Sequence, residues 1–280
     1  MIECPRDAMQ GLHDYIPADV KAKYINALLQ VGFDTIDFGS FVSPKAIPQL
    51  RDTKEVLQQL DLSYTKSRLL AIIANVRGAE EAVAFDQINY LGFPFSVSEE
   101  FQKRNTNSTI LESLKRVEEI QGLCLKHNKQ LVVYISMGFG NPYGEPWNAE
   151  VVIKWVKRLA DLGIKIVALS DTVGVSNPEN ITHLFTHLIP EFKDVEFGAH
   201  LHTHPQTWEE KIDAAYKSGC RRFDSAMKGI GGCPMAKDDL VGNLATENLT
   251  GWSKKNHVET GLDESAFAAA MKMAGLTFPL

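Results

Sequence analysis

Leu69-Leu70-Ala71-Ile72-Ile73-Ala74 and Leu131-Val132-Val133-Tyr134-Ile135, the latter closed by Ser136, are unbroken apolar runs, rich in β-branched residues and too short for a buried helix. Runs of this kind suit strands covered on both faces, as in a parallel sheet. Six more segments read the same way: Ile2–Cys4, Thr35–Phe38, Ile88–Phe93, Ile166–Ser170, Val195–His200 and Arg222–Ser225. Helical periodicity fills the gaps. Val20, Tyr24, Ala27, Leu28 and Val31 recur at three- and four-residue spacing, as do Val152, Trp155, Val156 and Leu159, and Ile181, Leu184, Phe185 and Leu188. Asn177-Pro178 reads as a cap followed by proline at the first helical position, and Pro17 fits the same logic. Gly32, Gly163 and Gly219 close helices just before the next strand.

Eight alternations in 280 residues give about 35 residues per unit. Parallel strands need right-handed helical crossovers, and eight such units close into a (β/α)8 TIM barrel of the α/β class. A doubly wound open sheet would want a glycine-rich phosphate turn after the first strand, where Pro5-Arg6-Asp7 stands instead. No linker interrupts the pattern. One domain over residues 1–280 is expected, with residues 249–280 as a small C-terminal helical extension.

Composition narrows the class. Hydrophobic residues make up 44%, charged residues 23%, and the formal net charge is -6. These values fit a folded globular chain and exclude disorder, coiled coil and collagen-like repeats. The acidity and the lack of Lys/Arg clusters argue against nucleic acid as a partner. No apolar run approaches the ~20 residues needed to span a bilayer, and the first residues lack a signal-peptide pattern. A cytoplasmic protein without a membrane partner is expected. The cysteines, Cys4, Cys124, Cys220 and Cys233, are too scattered for a disulfide framework. Three read as packing; Cys233 lies in Gly229-Ile230-Gly231-Gly232-Cys233-Pro234, where no core stripe could form and a lid would find its mobility.

In a barrel the active site forms at the C-terminal strand ends. There stand Arg6-Asp7, Asp37, Asn75, Ser136, Asp171-Thr172, and His200-Leu201-His202, with Cys233 and Asn243 following the last strand. His200 and His202 share one strand face about 6.6 Å apart along the backbone. They suit a divalent metal if carboxylates converge on them, and a histidine-rich turn with His204 is the bland alternative. Asp7 and Asn243 offer oxygen ligands, and an O-plus-N set points to Mg, Mn or a similar ion. Arg6 at the end of a buried strand reads as an oxyanion stabiliser. Asp37 and Asp171 read as functional, with loop capping as the alternative. A Schiff-base aldolase is disfavoured because no lysine ends a strand.

These residues carry a resemblance. Pro5-Arg6-Asp7-Ala8-Met9-Gln10 is similar to the Pro-Arg-Asp-Gly-Leu-Gln opening of 3-hydroxy-3-methylglutaryl-CoA lyases, within a superfamily of metal-dependent lyase and synthase TIM barrels. Ser40-Phe41-Val42-Ser43-Pro44-Lys45, Ser170-Asp171-Thr172-Val173-Gly174-Val175, the Gly229–Pro234 loop and Gly242-Asn243-Leu244-Ala245-Thr246-Glu247 resemble further family segments, in family order. The resemblance implies that Asp7, His200, His202 and Asn243 hold the divalent cation. It implies that Arg6 stabilises an enolate oxygen, that Asp37 and Asp171 support the polar network, and that Cys233 transfers a proton. The implied reaction is retro-Claisen cleavage of a 3-hydroxyacyl-CoA to acetyl-CoA and acetoacetate, a step of leucine catabolism. Monomer and homodimer both stay open. Two departures stand out: Thr203-His204-Pro205-Gln206 replaces Asp-Thr-x-Gly, and the stretch from Cys233 to Asn243 is one residue longer than the family pattern. The alternatives are a forward Claisen acyltransferase like isopropylmalate or homocitrate synthase, and a silent acyl-CoA-binding barrel. The former usually opens Asp-Thr-x-x-Arg-Asp-Gly and lacks the Gly-Gly-Cys-Pro loop.

Overall fold

The chain closes on itself as a ring of strands. The computed structural model describes residues 1–232 and 241–278. Its strands are β1 (Ile2–Glu3), β2 (Thr35–Ser40), β3 (Arg68–Ile72), β4 (Ile88–Ser96), β5 (Gln130–Ser136), β6 (Ile166–Asp171), β7 (Glu196–Leu201) and β8 (Arg222–Ser225). They pair in sequence order, all parallel, and β8 returns to β1 to complete a barrel. The expected (β/α)8 architecture is thus the observed one.

Helices separate the strands. α1 (Pro5–Gln10) and α2 (Ala18–Leu29) follow β1, α3 (Thr53–Gln58) follows β2, and α4 (Val76–Val83) follows β3. α5 (Glu99–Thr106) and α6 (Ile110–Lys126) follow β4, while α7 (Ala149–Asp161), α8 (Pro178–Glu191) and α9 (Trp208–Lys217) follow β5, β6 and β7. α10 (Thr246–Lys255) and α11 (Glu264–Thr277) come after β8. Local chemistry fixes several ends. Asn177 caps α8 reciprocally with Asn180, with Pro178 in the first turn, and Gly32, Gly163 and Gly219 all adopt positive φ.

Alternation along the strands sorts the core into two layers. Leu70, Tyr90, Val132, Tyr134, Ile166 and Ala168 form a cluster separate from the larger one, as residues pointing into the barrel must. The larger cluster joins the outward strand residues, such as Leu91, Phe93, Val133 and Val167, to helix faces carrying Leu28, Val156, Leu184 and Ile212. Each such side chain taken from water contributes about 1.5–3 kcal/mol. α11 adds to this layer over α2, where Asp263 N donates to Val31 O at 2.9 Å and Phe278 meets Tyr24 edge-on at 5.3 Å.

Two details differ from the sequence expectations. β4 continues past Phe93 to Ser96, its ladder with β5 running through Pro94↔Tyr134. Arg6 and Asp7, expected simply to stand at the end of the first strand, belong to a helix over residues 5–10: Pro5 occupies the first helical position with its φ already suitable. Arg6 and Asp7 are therefore presented by a short helix directly after a two-residue strand.

Candidate active site

The C-terminal strand ends surround a cavity. Arg6, Asp7, Ser136, Thr172, His200 and His202 contribute to its polar side. Ile47, Ile72, Ala74 and Phe101 contribute apolar wall. Asn75 takes no part: its carboxamide caps α4, accepting from Gly78 N at 2.9 Å, so this strand-end residue serves local structure.

α1 aims Arg6 across the barrel mouth. Its Nε donates to Asp37 Oδ2 at 2.9 Å, and Nη2 to the same carboxylate. Nη1 donates to Asp7 Oδ1 at 2.8 Å and to Gln10 Oε1 at 2.9 Å. Asp37 comes from β2, where the register with β3 shifts between Asp37 and Gly39. Burial lifts the Asp37 carboxyl to about 6 against the pull of Arg6, which leaves it ionised at neutral pH. It grips one edge of the guanidinium and so fixes its plane.

Asp7 is the node. Besides Arg6, Gln10 Nε2 donates to Oδ1 at 2.6 Å and Asn243 Nδ2 to Oδ2 at 2.7 Å. Burial would push its carboxyl up, but the Arg6 charge above all, with the Asn243 hydrogen bond among the lesser pulls, outweighs it and holds it below the usual range. Asn243 belongs to the segment after β8, joined to β7 by the antiparallel bridge His202↔Asn243. Gly231, at φ +109°, passes so close that a Cβ there would lie 2.5 Å from Asn243 Nδ2. No side chain fits at that crossing.

His200 and His202 leave β7 on one face with ring centroids 5.5 Å apart. Among the described residues, Asp7, His200 and His202 each place a ligand atom within 4.8 Å of the other two. Behind them, His200 Nδ1 lies 3.1 Å from Asp224 Oδ2. Against this carboxylate Nδ1 is the donor, which makes Nε2 the ring nitrogen available to a ligand. Burial lowers the His200 pKa, but the Asp224 bond and charge overcome it and the net shift is upward. His202 goes the other way, drawn down to about 4 by burial and by His200. It is neutral at physiological pH, and its Nδ1 is buried without a hydrogen-bond partner.

A buried imidazole nitrogen without a partner, beside a carboxylate held ionised, is a donor set waiting for a cation. The residues present therefore fit a divalent metal. Cys4, His200 and Asp224 also converge, but there the Asp224 carboxylate is already taken up by His200 Nδ1.

The remaining expectations divide. Asp171 stands at the end of β6, buried, with Ser176 N donating to Oδ1 at 3.1 Å and Lys211 Nζ to Oδ2 at 2.8 Å. It is held from behind rather than open to the cavity. Cys4, Cys124 and Cys220 are buried and free, matching the packing role expected of them. Cys233 lies outside the described residues. Sequence reading missed Gln10, Asp224 and Lys211. Asp224 had a signal: it alternates inward on β8 beside the histidine-bearing strand.

A closed parallel barrel with a carboxylate and two imidazoles converging at its C-terminal mouth defines a class, the metal-binding α/β-barrel enzymes. Comparison with known proteins narrows this. The chain belongs to the HMGL-like family, whose model matches residues 3–273. It is 32% identical over 259 residues to the cytoplasmic 3-hydroxy-3-methylglutaryl-CoA lyase of Rattus norvegicus, covering 92% of this chain and 75% of that protein. With a hydroxymethylglutaryl-CoA lyase of Bacillus subtilis the identity is 31%, covering 96% and 89%. Among solved structures, an HMG-CoA lyase from A. baumannii, in complex with coenzyme A and 3-methylmalate, superposes with a TM-score of 0.92 at 31% identity, covering 99% of this chain and 90% of that one. An HMG-CoA lyase from Brucella melitensis gives 0.90 at 28% identity, covering 98% and 96%. Among the described residues, no helix is long and apolar enough to cross a membrane.

Proposed function

We propose that this chain is a carbon–carbon lyase cleaving 3-hydroxy-3-methylglutaryl-CoA into acetyl-CoA and acetoacetate, as its family relatives are named for doing. The observation that carries the reading is Asp7, His200 and His202 within 4.8 Å of one another, beside Arg6 at one cavity. Asp7, His200 and His202 would hold a divalent cation, Mg or Mn by the hardness of the donors, with Asn243 adding its carboxamide oxygen. The bound ion supplies Lewis acidity toward the substrate's tertiary alcohol.

The chain's own groups do the rest. Transfer of the hydroxyl proton to a general base lets the C2–C3 bond break, with its electron pair passing to C2 to give the acetyl-CoA enolate while C3 becomes the ketone of acetoacetate. Arg6, locked in plane by Asp37, faces the enolate oxygen with a charge it cannot lose. Cys233 supplies the proton that C2 takes up. Ile47, Ile72 and Ala74 present an apolar wall suited to the acyl chain and to keeping water from the enolate. The substrate is a soluble acyl-CoA met in the cytoplasm, and the reaction belongs to leucine catabolism.

The test uses chelator-treated protein with 3-hydroxy-3-methylglutaryl-CoA. Acetoacetate should appear only after Mg or Mn is restored. No acetoacetate under any metal would sink the reading.

A further inference from the structure

Lys211 is a charged side chain where the amphipathic pattern of α9 calls for an apolar one. It is 2% exposed. Its Nζ donates to Asp171 Oδ2 at 2.8 Å, to His202 O at 3.0 Å and to Gly174 O at 3.1 Å. An ammonium has three protons, so every one is committed. Burying a lysine and an aspartate together costs more in lost hydration than it returns unless the geometry is tight and the remaining lone pairs are filled. Here Ser176 N and Oγ also donate to Asp171. A well-packed apolar residue would do at least as well for stability alone. The pair needs another reason to be there.

What the three bonds tie together supplies it. His202 O belongs to a residue proposed above to hold the cation. The backbone on either side of His202 is laced to the segment after β8, with Thr203 N donating to Gly242 O at 2.9 Å and Leu244 N to Leu201 O at 3.0 Å. Gly174 lies in the loop after β6 at φ +74°, and a Cβ there would fall 2.8 Å from Val241 Cγ1. That loop therefore rests directly on the residue two positions before Asn243. One ammonium group thus clamps the carbonyl of one proposed ligand and the loop that backs the segment carrying another.

We propose that Lys211 is a positioning residue of the cation site, holding His202 and Asn243 in mutual register from the helix layer. The proposal rests on the ligand assignment of the preceding section. Lys211→Met keeps the length of the side chain and removes all three donors. Mn2+ binding, followed by electron paramagnetic resonance without substrate, should weaken by about 10–100-fold, the range for losing an outer support of a metal ligand. Thermal stability will also fall, because Asp171 is left buried and uncompensated. The double variant Lys211→Met/Asp171→Asn removes that charge and separates the two effects. Its melting temperature should recover while its Mn2+ affinity stays low, whereas Asp171→Asn alone, which keeps the bonds to His202 and Gly174, should bind Mn2+ more tightly than the double variant.

Wild-type Mn2+ affinity in Lys211→Met, or affinity returning together with melting temperature in the double variant, would overturn the proposal. If the single variant does not fold, the double variant decides alone by the same criterion. Mn2+ binding needs no substrate. A protein that binds Mn2+, responds as expected and yet cleaves nothing would overturn the lyase reading while sparing this one; a wild-type chain that does not bind Mn2+ overturns both.

Discussion

The residue that most changes the picture of the mouth is Asp224. Its carboxylate sets which nitrogen of His200 carries the proton and raises the basicity of the ring, as a carboxylate behind a ligating histidine does. Asp224→Asn keeps the shape and removes the charge, and a carboxamide can donate to Nδ1 and invert the tautomer. Metal affinity, measured by calorimetric titration with Mn2+, should drop about 10–100-fold, with little change in the far-ultraviolet spectrum. The sequence made Arg6, Asp7, His200 and His202 legible because each closes or follows a strand with a residue type that apolar core cannot explain. Asp224 escaped because it lies within β8, where strand-end chemistry does not point, rather than at its end. Lys211 escaped for a different reason. On a helix, a lysine is ordinarily solvated surface, and nothing local announces that this one is turned inward.

Among the elements, β1, the turn just after β8 and the first residue of α10 are joined by another buried acid. Glu3 Oε1 accepts from Met227 N at 2.8 Å, and Oε2 bonds Thr246 Oγ1 at 2.6 Å. Burial lifts its carboxyl to about 8, more than these two bonds pull it down. Between its ordinary value of 4.5 and about 8, the unfolded chain has released this proton while the folded chain retains it. Rising pH through that window therefore erodes stability. Glu3→Gln keeps an amide able to serve both partners and does not titrate. Calorimetric melting should show the variant more stable than wild type at pH 8, with the difference shrinking toward pH 5; an equal difference at both pH values would refute the coupling. Element types were legible throughout, since apolar runs and 3.6-residue stripes answer to burial. Element ends were not. The turn into α1 depends on Pro5 opening a helix after only two paired residues, and the extension of β4 through Pro94 depends on β5 lying alongside, which no local pattern contains.

At the scale of the molecule, the barrel binds its mouth and its stability into one equilibrium. A cation held, as proposed, by Asp7 on α1 and by His200 and His202 at the end of β7 would bridge distant parts of the chain, and the unfolded chain offers no such site. Saturation at 100 times the dissociation constant should add about 2.7 kcal/mol to the unfolding free energy, seen as a melting temperature that rises with Mn2+ and returns with chelator. The fold class was legible because eight units of one size leave few ways to close. The seam was not. β1 contributes only Ile2 and Glu3 to the ladder, against seven paired positions between β4 and β5. The ring is thus fastened by its narrowest link, and time is where this tells. Ile2 and Ser225 are 223 positions apart, so during synthesis β1 emerges long before β8 exists to receive it, and closure is a late, long-range event. The same seam should open first in the mature protein. The Cys4 amide, bonded to Ser225 O at 2.9 Å, should exchange its hydrogen well ahead of the amides of β5, making the barrel a coiled ribbon with a clasp rather than a uniform hoop.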